Sequence, residues 1–334
     1  MNSELNKFID NKIFCETKKY SFIIGLSPST GARSPSLWNK AYRNLNINCK
    51  MYPADVTKKN LKKILNILRK DDDFIGSAVT VPYKEDIIKY LDKVDESCKN
   101  IGSVNTVVKK GNQLIGYNTD YLACKKSLGK FKSKKNILML GAGGVGKSAI
   151  VSVNEIFKNT NIFIYNRNYN KAKNFISKLK NKKIRILKDV NLILKISNID
   201  LIINATSVGF NMWQKNKSSF YNLSSFSPLE NIKKIIPVKN KNLKVFKNKN
   251  YELIKINLMN SHNFFKQFPN CNVFDIIYDP RKTVLIKIAN KYSKKNINGL
   301  EMNLDQAIFA FSIVNRIQNK KLITKMMTKK YYQG

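Results

Sequence analysis

One stretch limits the folds open to this chain more than any other: Lys135 to Ile150, KNILMLGAGGVGKSAI. An apolar run, Ile137 to Leu140, meets Gly141-Ala142-Gly143-Gly144-Val145-Gly146, and an amphipathic segment follows. That order predicts a strand, a tight turn and a helix. Glycines let the backbone approach an anion closely, and a helix N-terminus offers unpaired N–H groups and the positive end of its dipole. A phosphate-bearing ligand is expected here, on a parallel α/β sheet.

Two motifs overlap in this stretch. Gly141, Gly143 and Gly146 spell G-x-G-x-x-G, the dinucleotide turn. With Lys147 and Ser148 the same residues spell G-x-x-x-x-G-K-S, the P-loop of nucleotide triphosphatases. The flanking chain separates them. Asn161 to Tyr165 predicts the next strand, closed by Asn166-Arg167. A dinucleotide fold meets the adenosine ribose at that strand end, and an NAD enzyme usually has a carboxylate there. Arginine instead suits a 2′-phosphate, because its planar fork is bidentate and always charged. The reading is therefore NADP, held by Gly141 to Gly146 with Asn166 and Arg167. A triphosphatase needs an acidic residue after a later strand, to sit on the Mg²⁺ side. The next strand, Ile199 to Ile203, runs into Asn204-Ala205-Thr206-Ser207.

The chain has 334 residues, 43% of them hydrophobic, which is ample for two domains. Its net charge of +39 would suit a nucleic-acid binder. The bases are mostly lysines scattered among many Asn and Ile, with no dense Arg-aromatic array and no zinc-finger spacing. That pattern points to codon bias, and no specific nucleic-acid partner is expected. Five cysteines without a C-x-x-C fit reduced thiols, and the single His262 leaves no multi-histidine metal site. No metal is expected. No apolar run is long enough for a membrane span. Glu4 and Asp10 precede any apolar run, a poor start for a signal peptide, so a cytoplasmic protein is expected.

Along the chain, Tyr20 to Leu26 predicts a strand running into a Ser-Pro-rich loop. Ser34 is expected to cap a helix that has Pro35 in its first turn. Leu37, Trp38, Ala41 and Leu45 share one face of it, with Trp38 as core. Cys49 to Val56 predicts a strand, and Leu61, Ile64, Leu65 and Leu68 a helical stripe. Phe74 to Val81 predicts a buried strand ending at Pro82. Lys84 is expected to open a helix whose apolar face is Ile87, Ile88 and Leu91. Val104 to Val108 and Gln113 to Gly116 read as a hairpin, and Asn118-Thr119-Asp120 as a helix start. Phe210 to Asn270 is poorly patterned and rich in Lys and Asn; part of it is expected to be a surface insertion. Val273 to Tyr278 predicts a strand, Thr283 to Tyr292 a helix, Asn298-Gly299 a turn and Leu304 to Ile317 a last helix. The basic tail beyond is expected to be loose.

These residues together resemble the shikimate dehydrogenase family over nearly the full chain. Ser34-Pro35…Asn39 is similar to its S-x-S-P…H-N motif. Val79-Thr80-Val81-Pro82-Tyr83-Lys84-Glu85 resembles V-T-V-P-[FY]-K-E. Gly102 to Thr106 resembles G-A-V-N-T, and Gly116 to Asp120 resembles G-x-N-T-D. The glycine turn, Asn204 to Gly209, Asp275…Tyr278-Asp279-Pro280…Thr283 and Gly299…Met302…Gln306 follow in family order. The family often carries Lys after its glycines, which also disposes of the P-loop.

The resemblance implies NADPH-linked reduction of 3-dehydroshikimate to shikimate, a step of aromatic amino acid and chorismate biosynthesis, by a monomer or homodimer. It implies an α/β substrate domain, residues 1–120 with 293–334, and a Rossmann domain, 121–292, the C-terminal helices returning to the first. Lys84 and Asp120 would be catalytic. A carbonyl that accepts hydride develops negative charge on oxygen, so a proton donor that is also a cation suits it. Ser34, Thr80, Asn105, Tyr278 and Gln306 would hold the substrate, and Thr206, Ser207 and Gly299 would join the cofactor site. Two departures touch the substrate pocket. Ala32 stands where the family usually has Ser, in a loop one residue longer, and Ala78 where it usually has Asn. Thr30, Ser29 or Arg33 would then be placed to compensate. The departures keep open a quinate or related polyol-acid dehydrogenase, and a catalytically weakened NADP-binding regulatory relative.

Overall fold

The computed structural model describes residues 2–132, 134–230, 232, 234–293 and 295–329. The chain forms two compact units, residues 1–124 with 304–334, and residues 125–303.

In the first unit the elements run α1 (Asn2–Leu5), β1 (Lys19–Gly25), α2 (Ser34–Asn44), β2 (Cys49–Asp55), α3 (Leu61–Lys70), β3 (Phe74–Val79), β4 (Lys93–Val94), α4 (Glu96–Lys99), β5 (Thr106–Lys110), β6 (Gln113–Tyr117) and the start of α5 (Thr119–Leu128). They build a six-stranded sheet of order β2-β1-β3-β5-β6-β4. β1 pairs in parallel with β2 and β3, while β5 runs antiparallel to β3 and β6. The strands are apolar on both faces because both are covered. One face packs Phe22, Ile24 and Phe74 with Ile64, Leu65 and Leu68 of α3. The other packs Ile23 and Met51 with Trp38 and Tyr42 of α2 and with Phe311.

The C-terminal chain supplies much of that second layer through α11 (Leu300–Asn315) and α12 (Lys320–Thr328). The last helix corrects the expectation of a loose tail as far as Thr328; residues 330–334 lie outside the described residues. Ile323 is fully buried and Met327 nearly so. Burying a side chain of this size contributes roughly 1.5–3 kcal/mol, enough to dock a short helix of otherwise polar residues.

The second unit runs β7 (Asn136–Leu140), α6 (Gly144–Ile156), β8 (Asn161–Tyr165), α7 (Tyr169–Ile176), β9 (Ile184–Leu187), β10 (Leu201–Asn204), β11 (Trp213–Asn216), β12 (Ser219–Asn222), α8 (Leu243–Lys249), α9 (Tyr251–Gln267), β13 (Asn272–Asp275), α10 (Val284–Ala289) and β14 (Asn296–Asn298). Six of these strands form a sheet parallel throughout, of order β9-β8-β7-β10-β13-β14. That is the doubly wound order, with its reversal between β7 and β10, where ligands bind beyond the carboxyl ends of the strands.

Other local readings also change. α2 begins at Ser34 itself, with Arg33 as its cap residue and no side-chain cap. β3 ends at Val79, and Lys84 precedes a 3₁₀ turn over Asp86–Tyr90 in place of a longer helix. Of its expected apolar face only Ile87 is buried. Within the expected insertion, α9 belongs to the sheet's own cover, since Phe264, Phe265 and Phe268 pack with Leu138, Ile202 and Val273. β14 ends at Asn298, and Gly299 makes the expected turn into α11. No helix among the described residues is long and apolar enough to cross a membrane.

Candidate active site

In the first unit the chain from Thr80 to Val104 fixes one side chain firmly. The Tyr83 N–H donates to Thr80 O at 3.0 Å, and the Val104 N–H donates to Lys84 O at 2.7 Å. The buried Tyr83 hydroxyl donates to Val56 O at 2.6 Å. Lys84, held between these anchors, donates from Nζ to Asp120 Oδ2 at 2.7 Å, with side chains 19% and 8% exposed. Partial burial raises the desolvation cost of such a pair, so close geometry is what holds both charges there. Asp120 sits in the first turn of α5, where a carboxylate also meets the favourable end of the dipole. Cys124, one turn further along α5, is fully buried. Burial, then the Asp120 charge, pushes its thiol pKa well up, so it is not a nucleophile.

Asn105 braces the same helix start. Its Oδ1 accepts from the Thr119 N–H at 2.7 Å, and its Nδ2 donates to Thr119 Oγ1 at 2.9 Å and Gln306 Oε1 at 3.4 Å. The Thr119 hydroxyl donates to Gln306 O at 3.0 Å. Lys84, Asp120, Asn105 and Gln306 are thus brought together. Thr80 enters the Lys84 turn through its backbone carbonyl, and no hydrogen bond among the described residues joins its side chain to that cluster. Ser34 is buried in the first turn of α2 and is joined to that cluster by no hydrogen bond among the described residues. Ser29 is not placed to replace the missing serine, because its N–H and hydroxyl both donate to the Asp55 carboxylate. The Thr30 hydroxyl donates to Ser27 O at 2.8 Å. Ala32 and Ala78 both pack against the cluster around Trp38. Tyr278 lies in the second unit, edge-on to Phe210 at 5.4 Å between centroids.

In the second unit the glycines divide their work. Gly141 has φ +94°, and a Cβ there would meet Ala205 O at 3.0 Å. A Cβ at Gly146 would lie 2.5 Å from Gly141 O, so glycine is required for α6 to pack on the turn. Gly143 has nothing within 4 Å of a Cβ position, leaving its backbone open to a ligand. These are the three roles of a dinucleotide fingerprint. Lys147 and Ser148 are turned to other uses. The Lys147 ammonium lies over the Phe175 ring at 5.3 Å, and the buried Ser148 hydroxyl donates to Gly144 O at 3.3 Å.

A cavity of about 620 Å³ opens at this turn, lined by Gly141, Ala142, Gly143, Asn166, Arg167, Lys171, Thr206 and Ser207 among others. Asn166 builds it: its Oδ1 accepts from the Ala142 N–H at 2.9 Å and its Nδ2 donates to Asn168 O at 2.7 Å. Arg167 is exposed at its mouth. An open Gly143 backbone beside two cations fits a dinucleotide that bears a further phosphate. Gly299 does not line the cavity. A Cβ there would collide with Ile276 O, so its need for glycine is explained by packing.

Two features escaped the sequence reading. Gln214, Tyr221, Glu230 and Ile235 from the poorly patterned stretch line the same cavity. A buried network also lies behind Thr206. The Asn204 Oδ1 accepts from the Thr206 hydroxyl at 2.7 Å, Asn204 Nδ2 donates to Asp275 Oδ1 at 2.9 Å, and the Thr283 hydroxyl donates to Asp275 Oδ2 at 2.7 Å. Its signal was available: a polar residue ends each of two adjacent buried strands, and Asn204 pairs with Asp275 in register. No cluster of potential metal ligands exists among the described residues, and the cysteines are free.

Comparison with known proteins places this geometry. Residues 24–107 match the shikimate dehydrogenase substrate binding domain, and residues 123–220 match shikimate / quinate 5-dehydrogenase. The shikimate dehydrogenase (NADP(+)) of Methanococcus vannielii is 37% identical over 290 residues, covering 84% of this chain and 86% of that one. The enzyme of the same name from Pyrococcus furiosus is 33% identical, covering 89% of this chain and 90% of that one. A shikimate dehydrogenase solved in complex with NADP⁺ superposes with a TM-score of 0.68 at 27% identity, covering 94% of this chain and 96% of that one. That of Aquifex aeolicus gives 0.67 at 27% identity, over 95% of this chain and 100% of that one.

Proposed function

Because the chain belongs to the shikimate dehydrogenase family, we propose that it catalyses the reversible reduction of 3-dehydroshikimate to shikimate with NADPH, a step of aromatic amino acid and chorismate biosynthesis. The observation that carries this reading is the largely buried Lys84–Asp120 pair, 2.7 Å apart. NADPH, when bound, supplies the hydride taken up by the carbonyl carbon. Lys84 stabilises the negative charge that develops on the carbonyl oxygen and gives that oxygen a proton from Nζ. Asp120 holds the ammonium in place; Lys84 regains its proton from solvent. In the oxidative direction Lys84 first gives a proton to solvent, and its neutral amine then takes the hydroxyl proton.

Asn105, Gln306, Thr80 and Ser34 would hold the ring hydroxyls and carboxylate, with Tyr278 as a further substrate contact. Gly141, Ala142, Gly143, Gly144, Val145 and Gly146 would meet the pyrophosphate of NADP through their backbone, and Arg167 its 2′-phosphate. Asn166 shapes the turn that does this, and Thr206 and Ser207 line the same cavity, whereas Gly299 is needed for packing against Ile276. The first unit serves as substrate domain and the second as cofactor domain, in a cytoplasmic enzyme that works as a monomer or homodimer.

The test is to assay the purified protein with shikimate and with quinate, each with NADP⁺ and with NAD⁺. Shikimate with NADP⁺ should be turned over most efficiently. A clear preference for quinate would favour the second reading that Ala32 and Ala78 motivate. No turnover alongside intact NADP binding would favour a regulatory relative.

A further inference from the structure

The cofactor cavity has two walls of different origin. One is the glycine turn with the ends of β8 and β10. The other comes from the chain between β10 and α9, whose residues Gln214, Tyr221, Glu230, Ile232, Ile235 and Pro237 line the same space. No residue of β13 or β14, or of the turns directly after them, lines it. In a doubly wound sheet the nicotinamide half belongs to that far side, so this cavity is the adenosine half of the site.

The second wall is braced as a unit. Phe220 and Val238 exchange backbone hydrogen bonds at 2.7 and 2.8 Å. Asn250 clamps Ile236, accepting from its N–H at 2.8 Å and donating to its carbonyl at 2.9 Å. Asn257 clamps Ser227 in the same way, at 2.7 and 3.1 Å. Trp213 packs edge-on against the buried Phe246, 6.0 Å between centroids. Two buried asparagines at 2% and 1% exposure therefore tie the wall to the start of α9.

Its chemistry suits a flat heterocycle. The Tyr221 hydroxyl donates to Gln214 Oε1 at 2.7 Å, which orients the amide and leaves Nε2 as a donor. Glu230 offers an acceptor, and Ile232, Ile235 and Pro237 an apolar face. A donor, an acceptor and an apolar face match the ring nitrogen, the exocyclic amine and the π-face of adenine. Resting on the cofactor reading above, we infer that this segment is the adenine-binding wall of the cofactor site, and that it recognises the base shared by NADP and NAD.

The experiment measures binding of 2′,5′-ADP, NADP⁺ and NAD⁺ by calorimetry to the whole protein and to the Gln214→Ala and Tyr221→Phe variants, with Arg167→Ala alongside. Loss of one neutral hydrogen bond should weaken all three ligands by a common factor of roughly 2–10 in the wall variants. Arg167→Ala should weaken 2′,5′-ADP and NADP⁺ alone. Circular dichroism checks that each variant is folded. Folded wall variants that bind all three ligands as the parent does would overturn the inference and leave the cofactor reading intact. A parent protein that binds neither NADP⁺ nor 2′,5′-ADP would overturn both.

Discussion

Each unit is built around a buried aspartate, and the two are handled in opposite ways. Asp120 is 5% exposed and faces a cation, the Lys84 ammonium at 2.7 Å. Asp275 is fully buried, and its hydrogen-bond partners among the described residues are neutral: Asn204, Thr283 and the Ile277 N–H. Burial, opposed by those hydrogen bonds, raises its pKa from 3.8 to about 6. A carboxylate beside a movable proton can serve chemistry. One enclosed by neutral donors braces a loop, here the Thr206 turn that lines the cavity at the glycine turn. On the proposed function the first unit is organised for reaction and the second for binding, and that division can be broken experimentally.

The largest effect is expected at Lys84. Lys84→Ala should lower kcat on the order of 10²–10⁴-fold, the range for losing a positioned proton donor, with little change in NADP⁺ affinity. Asp120→Asn should also slow turnover at unchanged NADP⁺ affinity. Near-normal kcat in Lys84→Ala would remove the lysine from the mechanism.

Asp275 gives the contrasting test. A carboxyl whose folded pKa lies above its unfolded value keeps its proton better when folded. Its contribution to stability is therefore fullest below about pH 4 and is lost as pH rises to about 6, by about 3 kcal/mol in all. Urea unfolding of the parent across that window should show this fall, superimposed on other groups. Asp275→Asn should lack that component, and parallel profiles for the two proteins would show that Asp275 is not the titrating group.

Arg167→Ala should weaken NADP⁺ by roughly 1.5–3 kcal/mol, as for a hydrogen bond to a charged group, and leave NAD⁺ nearly unchanged. Equal losses for both would refute a 2′-phosphate contact. The smallest effect is expected at Ala32. Ala32→Ser should lower KM for shikimate by a factor of roughly 2–10, the worth of a neutral hydrogen bond, without altering NADP⁺ affinity. A raised KM would mean that the longer loop has its own solution.

What could be read from sequence depended on how local its cause was. The glycine turn was legible because a positive φ at Gly141 and the close approach of Gly146 to Gly141 are demands that few residues meet. Lys84 and Asp120 were legible because each sits in a compact motif at a strand end or helix start. The second cavity wall was not, because only tertiary contacts bring Gln214, Glu230 and Ile235 to the glycine turn. α12 was missed for a similar reason: Ile323 and Met327 are its two buried apolar anchors, and their partners lie in α2 and α11. The expected compensation by Ser29 failed on a side-chain contact, its bond to Asp55, that no motif encodes.

The division of labour is tested most directly by the double variant Lys84→Ala/Arg167→Ala. The two residues share no partner among the described hydrogen bonds and ion pairs, so their effects on kcat/KM with NADP⁺ should add as free energies within about 0.5 kcal/mol. The loss in the double variant should then equal the product of the two single losses, within roughly a factor of two. A double variant no worse than Lys84→Ala alone would contradict the account, because reaction and cofactor binding would then be one coupled machine.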